Sequence, residues 1–345
     1  GGNLLGSAIA GCPAMVPLPT RPVWQERLAA FLRAGRRSKL GMTGVLILAA
    51  GVPRGFEARD FGVVVAGYVI IRLALVAQWL RAAASDPDRR STALRCALGI
   101  TVVQVAWVTL QFAPSEWFLA LFALLALAEM AVPWWAEGRA PTPWHPGHIV
   151  ERYGLFTIIV LGESVLATTF GVQEALDADS TLGDLAPVIV GGLLIVFCLF
   201  WIYFDLPTER VVAQARPRSG RRTAMAFVWG YGHYFVFGAV AAAGAGLAVA
   251  VAHATHHSEL SDTGAALAVT VPVAIYITAV WALHVREKEP GPLRLVTGPA
   301  AVALTLAATF TPEPVLATGL ALAVIVAVET AYQTNAAKRA ESLAA

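Results

Sequence analysis

The chain has 345 residues, 57% of them hydrophobic and only 14% charged, with a net charge of +2; its mean hydropathy is +0.65. Soluble domains carry about 25% charged residues, so a water-soluble fold, an intrinsically disordered chain and a disulfide-stapled secreted module are all excluded. The near-neutral balance gives no footprint for a nucleic-acid partner. What remains is an integral protein of the lipid bilayer.

In chain order, residues 1–40 differ from the rest. Gly1 to Pro17 is apolar but too short and proline-broken to span, whereas Arg21 to Lys39 is basic, with Trp24, Leu28, Phe31 and Leu32 at helical spacing. That pattern fits an amphipathic helix on the inner leaflet, or a non-native leader. No short apolar core follows a basic start, so no cleavable signal peptide is expected. Beyond residue 40, apolar runs of membrane-spanning character lie at 41–52, 61–80, 97–112, 116–136, 151–171, 185–205, 223–252, 263–283, 295–310 and 315–333. The first is short for a bilayer. The seventh would be roughly 45 Å long as a helix, against a hydrocarbon core of about 30 Å, so it must tilt, project or break, most cheaply at Gly230 and Gly232. The tail from Ala336 is polar and Ala-rich. The expectation is an all-α polytopic transmembrane bundle of about ten helices, organised as an N-terminal basic segment (1–40), a transmembrane domain (41–335) and a cytoplasmic tail (336–345).

Charge placement tests that count independently. Arginine and lysine cluster before the first run and in the 81–95, 206–222 and 284–294 connections, whereas 113–115, 172–184, 253–262 and 311–314 hold none. Alternate connections are therefore rich and poor in positive charge, which places both termini in the cytoplasm. Tryptophans such as Trp117, Trp134, Trp135 and Trp201 fall near the ends of runs, as in interfacial belts. The three cysteines, Cys12, Cys96 and Cys198, are scattered, and read as small apolar side chains rather than a disulfide framework or a metal site.

An ionisable side chain in hydrocarbon costs on the order of 3 kcal/mol, so each one needs a reason. Arg72, Glu129, Glu163 and His233 lie in the second, fourth, fifth and seventh runs, all near the midplane at about 1.5 Å of rise per residue. One reading pairs Arg72 with a glutamate that neutralises it and locks helix packing. The other makes Glu163 a proton or ion carrier, with Arg72 as its gate or counter-charge. Glu163 has the stronger context, since Gly162 allows close approach of a helix or water and Ser164 offers a hydroxyl beside it.

A second cluster precedes it at the cytoplasmic entrance, His145-Pro-Gly-His148-Ile-Val-Glu151-Arg152-Tyr153-Gly154. It reads either as a capping network or as one end of a half-channel running from Glu151 to Glu163, about 18 Å along one helix. Tyr203 and Asp205 close the sixth run at the same interface. His253, His256 and His257 share a helical edge in a positive-poor connection, a pattern for zinc or pH sensing or simply for solvated side chains. No nucleotide loop, nucleophile elbow, H-E-x-x-H or paired C-x-x-C occurs, so neither an enzyme nor a bound cofactor or metal is expected.

The stretch His148-Ile-Val-Glu-Arg-Tyr-Gly-Leu-Phe-Thr-Ile-Ile-Val-Leu-Gly-Glu-Ser164 resembles the signature of the bacterial low temperature requirement A (LtrA) family. Leu48-Ala-Ala-Gly-Val-Pro-Arg-Gly-Phe56 and Phe200-Trp-Ile-Tyr-Phe-Asp205 resemble it as well, and the likeness runs from about residue 40 to the C-terminus. The resemblance implies a multipass inner-membrane protein linked to growth in the cold. It adds weight to Glu151, Arg152, Gly162, Glu163, Tyr203 and Asp205, and carries no catalytic role with it. Family members open with a segment like E-L-F-F-D-L-x-F-V-F-A, similar to the stretch around Glu151 to Glu163, as in a two-repeat transporter or channel. Residues 1–40 match neither repeat, so a truncated or frameshifted start is expected.

The function expected is a transporter or channel for a proton, ion or small solute, with the bilayer and that solute as partners and a homo-oligomer left open. The alternatives are an enzyme or lipid-handling protein at the inner leaflet using His148, Glu151 and Asp205, and a non-catalytic membrane component of cold adaptation.

Overall fold

The computed structural model describes residues 23–58, 60–138, 142, 146–177, 182–205, 220–285 and 292–344. They form ten α-helices, with no strand among the described residues: α1 (Val23–Ala58), α2 (Gly62–Ser85), α3 (Arg90–Thr109), α4 (Ser115–Glu137), α5 (Pro146–Asp177), α6 (Leu182–Phe204), α7 (Gly220–Ala254), α8 (Asp262–Val285), α9 (Pro292–Ala308) and α10 (Pro314–Ala344).

Eight of these, α2 to α8 and α10, are long and apolar enough to cross a membrane. Two of the ten predicted spans fall short of that length. The run at 41–52 is the apolar end of the longer α1, whose first half is basic. The ninth is an apolar helix only from Leu295 to Ala308, about 21 Å at the usual rise, before the turn through Pro312 and Pro314. The seventh span does not break at its glycines, since α7 is one continuous helix of 35 residues. A Cβ on Gly232 would strike the Leu283 side chain at 2.5 Å, and one on Gly230 would meet the Tyr153 hydroxyl at 3.3 Å. Both glycines admit neighbours to the helix surface rather than bending it. α1 passes through residue 40 without interruption, and α10 stays helical to Ala344.

The chain divides into two compact units, residues 1–145 and 146–345. In the first, α1 packs on α2, α2 on α3 and α3 on α4. Lipid tails are as apolar as leucine, so helices in a bilayer associate where small residues let backbones approach. Gly44 and Gly67 provide such a place between α1 and α2: a Cβ on Gly44 would lie 2.9 Å from the Gly67 carbonyl oxygen, and one on Gly67 would collide with the Leu48 backbone. Farther along, Trp79, Cys96, Ala97, Ile100 and Val132 form the core of this unit.

The second unit is the larger. α7 packs against α8 and α5, α6 against α10, and α9 between α8 and α10. Its core is built on Leu161, Ile195, Leu199, Val236, Val240, Leu247, Val269 and Tyr276. Pro272 inside α8 has no N–H, which leaves the Ala268 carbonyl without its helical donor. Gly246 of α7 lies against that carbonyl so closely that a Cβ there would overlap the oxygen. Tyr276, fully buried, donates its hydroxyl to the Leu199 carbonyl at 2.7 Å, tying α8 to α6. Tyr276→Phe keeps the ring and removes one neutral bond, so denaturant unfolding in mixed micelles is expected to show a loss of about 1 kcal/mol.

α7 ends in a left-handed cap. His256 has φ 59°, its N–H donates to the His253 carbonyl at 3.0 Å, and the His257 N–H reaches the Ala252 carbonyl at 2.8 Å. This is the two-bond pattern that satisfies the last carbonyls of a helix. It corrects the expectation that His253, His256 and His257 share one helical edge: only His253 is on the helix. Cys96 and Cys198 are buried and unbridged, as small apolar side chains should be.

Candidate functional site

In the first unit, Tyr68 and Arg72 stand one turn apart on α2, on the same face. The buried Arg72 guanidinium lies over the Tyr68 ring, 4.7 Å from its centroid, and donates to the phenol oxygen. Glu129 comes in from α4. It forms an ion pair with Arg72, accepts the Tyr68 hydroxyl, and accepts the Trp107 indole N–H of α3 at 2.9 Å. Trp107 is held edge-on to Tyr68 and Phe122. One carboxylate thus collects donors from two other helices, which is how a charge at membrane depth is made tolerable. The expected role of Arg72 as counter-charge to Glu163 is corrected here, because its carboxylate is Glu129. A pair of Arg72 with a glutamate is what the first of the two sequence readings expects.

In the second unit, His233 is fully buried on α7. Its Nδ1 lies 2.8 Å from the Trp229 carbonyl and its Nε2 lies 3.0 Å from the Tyr203 hydroxyl of α6. A carbonyl only accepts, so Nδ1 carries the proton, and in the neutral ring Nε2 accepts from Tyr203. Thr157 of α5, also fully buried, donates its hydroxyl to the Tyr153 carbonyl at 2.9 Å. Around the imidazole stand Tyr153, Trp229 and Phe237, with ring centroids 4.2–5.6 Å away. Three helices therefore converge on the imidazole: α7 carries it, α6 supplies the Tyr203 hydroxyl and α5 the Tyr153 ring.

Glu163 is placed differently from what its neighbours suggested. Its side chain is exposed on α5 and makes no hydrogen bond or ion pair among the described residues, and a Cβ on Gly162 would meet nothing within 4 Å. Gly162 is therefore not a point of close helix approach. Ser164, one residue on and about 100° further round the helix, is turned inward. Its hydroxyl shares its proton between the Val160 and Val240 carbonyls, each at 3.1 Å, and it packs where Gly244 leaves room. It binds α5 to α7 and is not offered to Glu163.

At the predicted cytoplasmic entrance, His148 Nδ1 and a Glu151 carboxylate oxygen are 3.9 Å apart, both well exposed in the first turns of α5. Arg152 is half-buried beside Tyr153. Asp205 accepts from the Gln333 side-chain amide of α10 at 2.8 Å, and one turn earlier on α10 Glu329 accepts the hydroxyl of Thr297. Among the described residues no three His, Cys, Asp or Glu side chains converge for a metal.

Several partners were not singled out in sequence: Tyr68, Trp107, Trp229, Thr297, Glu329 and Gln333. Tyr68 was findable from its i, i+4 relation to Arg72. The others are single polar or aromatic side chains in apolar runs, whose partners lie on helices distant in sequence, so spacing carries no signal for them.

Among the described residues, eight helices of membrane-crossing length, with Arg72, Glu129 and His233 hydrogen-bonded inside, define a multi-pass integral membrane protein. The profile described as "Bacterial low temperature requirement A protein (LtrA)" matches residues 38–330, and the chain belongs to that family. It is also similar to an uncharacterized protein of Rhizobium meliloti (strain 1021), 24% identical over 163 residues, which cover 45% of this chain and 39% of that protein. The match thus spans well under half of that relative's length. No solved structure is significantly similar to the chain.

Proposed function

We propose that the protein is a transporter or channel that moves a proton, ion or small solute across the bacterial plasma membrane, with both termini in the cytoplasm and no enzymatic step of its own. The observation that carries this reading is His233, fully buried yet hydrogen-bonded at both ring nitrogens. Its Nε2 faces the Tyr203 hydroxyl, which can both give and take a proton. A proton delivered to Nε2 turns the Tyr203 oxygen from donor to acceptor and needs no side chain to leave its place. Histidine is the group best suited to such exchange near neutrality, and an intramembrane ionisable residue is by default a functional one. The exposed Glu163 carboxyl on α5 is a second station for a charged solute, and the Arg72–Glu129 pair is the fixed scaffold.

Proton, sodium and potassium flux into proteoliposomes holding the full chain tests this. The parent chain is expected to carry a flux, His233→Gln to lower it at least tenfold, and Tyr203→Phe to lower it several-fold with the fold intact by gel filtration. Glu163→Gln is expected to reduce flux without abolishing it. No flux of any of the three ions in the parent chain would sink the proposal, and an undiminished His233→Gln would remove the histidine from the path.

A further inference from the structure

α5 is long and apolar enough to cross a membrane over Gly147–Asp177, and one side of it is left uncovered. Ile159, Glu163, Leu166, Phe170 and Gln173 follow one another at intervals of four, three, four and three residues, and all five are exposed. That alternation puts side chains on one seam, the spacing by which two parallel helices interlock. Leu161 and Ser164 face the other way and are buried, so α5 is already held by its own unit and the seam takes no part in that packing.

Glu163 is the member that an apolar seam does not explain. It lies near the middle of the span, about 21–24 Å from the two ends at the usual rise, too deep for so short a side chain to bend out to an interface. It makes no hydrogen bond or ion pair among the described residues. Hydrocarbon has none to offer it, which makes a carboxyl expensive there. Beside it, a Cβ on Gly162 would meet nothing within 4 Å, so a second helix has room to come alongside.

What covers this seam must bring a hydrogen-bonding group to the depth of Glu163. A second copy of this chain does so by symmetry. Both copies insert the same way round, because their positive-rich connections stay on the same side. A two-fold axis along the membrane normal then sets a seam residue opposite its own counterpart, at the same depth. In its acid form a carboxyl both donates and accepts, so two Glu163 side chains complete each other, each O–H donating to the carbonyl oxygen of the other. We propose that the chain forms a parallel dimer through this seam of α5, closed by a reciprocal pair of Glu163 carboxyls. One polar group on an apolar seam also fixes the register and the number of strands. The apolar members add contact area, but lipid is as apolar as they are, so the carboxyls decide the affinity. Association requires no transport, and its test stands apart from the flux experiment.

The test is energy transfer between donor- and acceptor-labelled full chains in phosphatidylcholine liposomes as the protein is diluted with lipid. The parent chain is expected to associate. Glu163→Leu, which suits an exposed helix position in hydrocarbon, should weaken association about fivefold or more, through the loss of two interhelical hydrogen bonds. Glu163→Gln, whose amide also donates and accepts, should stay within about twofold of the parent. With the native cysteines replaced by alanine, Leu166→Cys is expected to give a disulfide-linked dimer on mild oxidation, and Phe235→Cys, 65% exposed on α7, is not. A parent chain that stays monomeric at every dilution would overturn the proposal. So would Glu163→Leu associating as tightly as the parent, Glu163→Gln dissociating along with Glu163→Leu, or equal cross-linking of the two cysteine variants.

Discussion

Replacing Glu129 by leucine is expected to cost the fold about 3–5 kcal/mol, and adding Arg72→Met to that chain is expected to return most of the loss. The reason lies in what each change leaves behind. With Glu129 gone, the Arg72 guanidinium stays buried on α2 with the Tyr68 hydroxyl and no carboxylate opposite. The Trp107 N–H loses its acceptor as well. With both charges gone, two apolar side chains of similar volume meet between α2 and α4, and burying them there costs little. Equilibrium unfolding of the four chains of this double-mutant cycle in mixed micelles measures the coupling directly. If Glu129→Leu alone stays within about 0.5 kcal/mol of the parent, as ordinary surface changes do, the pair is hydrated and cannot be the scaffold argued here. If the single change spares the fold but abolishes flux, the pair belongs to the solute path.

That pair also shows how far the sequence could be read. Arg72 and Glu129 were visible as charges in apolar runs because hydrocarbon makes any charge conspicuous, and their similar depth followed from counting rise along helices. Which carboxylate met Arg72 depended on how α2, α3 and α4 rotate about their axes. By that count Glu129 and Glu163 fall at similar depth, so nothing in spacing separates them. Glu163 had the more suggestive neighbours, Gly162 and Ser164, but those three residues point to different sides of α5. The helices themselves were legible because about 20 apolar residues in a row have few other folds. The runs at 41–52 and 295–310 fall short, whereas that at 97–112, no longer than the latter, is extended into a full span from Arg90 to Phe112. His233 and Tyr203 were each noted in isolation, and their junction across α6 and α7 was invisible because 30 residues separate them.

Gly246→Leu is expected to destabilise the second unit by about 3 kcal/mol or more, the upper range for a side chain forced into a packed interior, whereas Gly238→Leu on the same helix should be neutral or stabilising. Both glycines lie in α7, and leucine is the better helix former by a few tenths of a kcal/mol or more, so propensity alone favours both changes. What separates them is the neighbour. Gly238 faces open space, whereas a Cβ on Gly246 would run into the Ala268 carbonyl oxygen of α8. That oxygen is free because Pro272, one turn on, has no N–H to give it. A glycine Cα–H against such a carbonyl is a weak hydrogen bond worth about 0.5–1 kcal/mol in itself. It also sets how closely α7 and α8 approach, in a solvent that gives helices no hydrophobic reason to associate. Denaturation midpoints of the two leucine variants, measured side by side, check the difference. Equal midpoints would mean that α7 and α8 do not cross at Gly246, and the proline-freed carbonyl would then lose its part in holding the unit together.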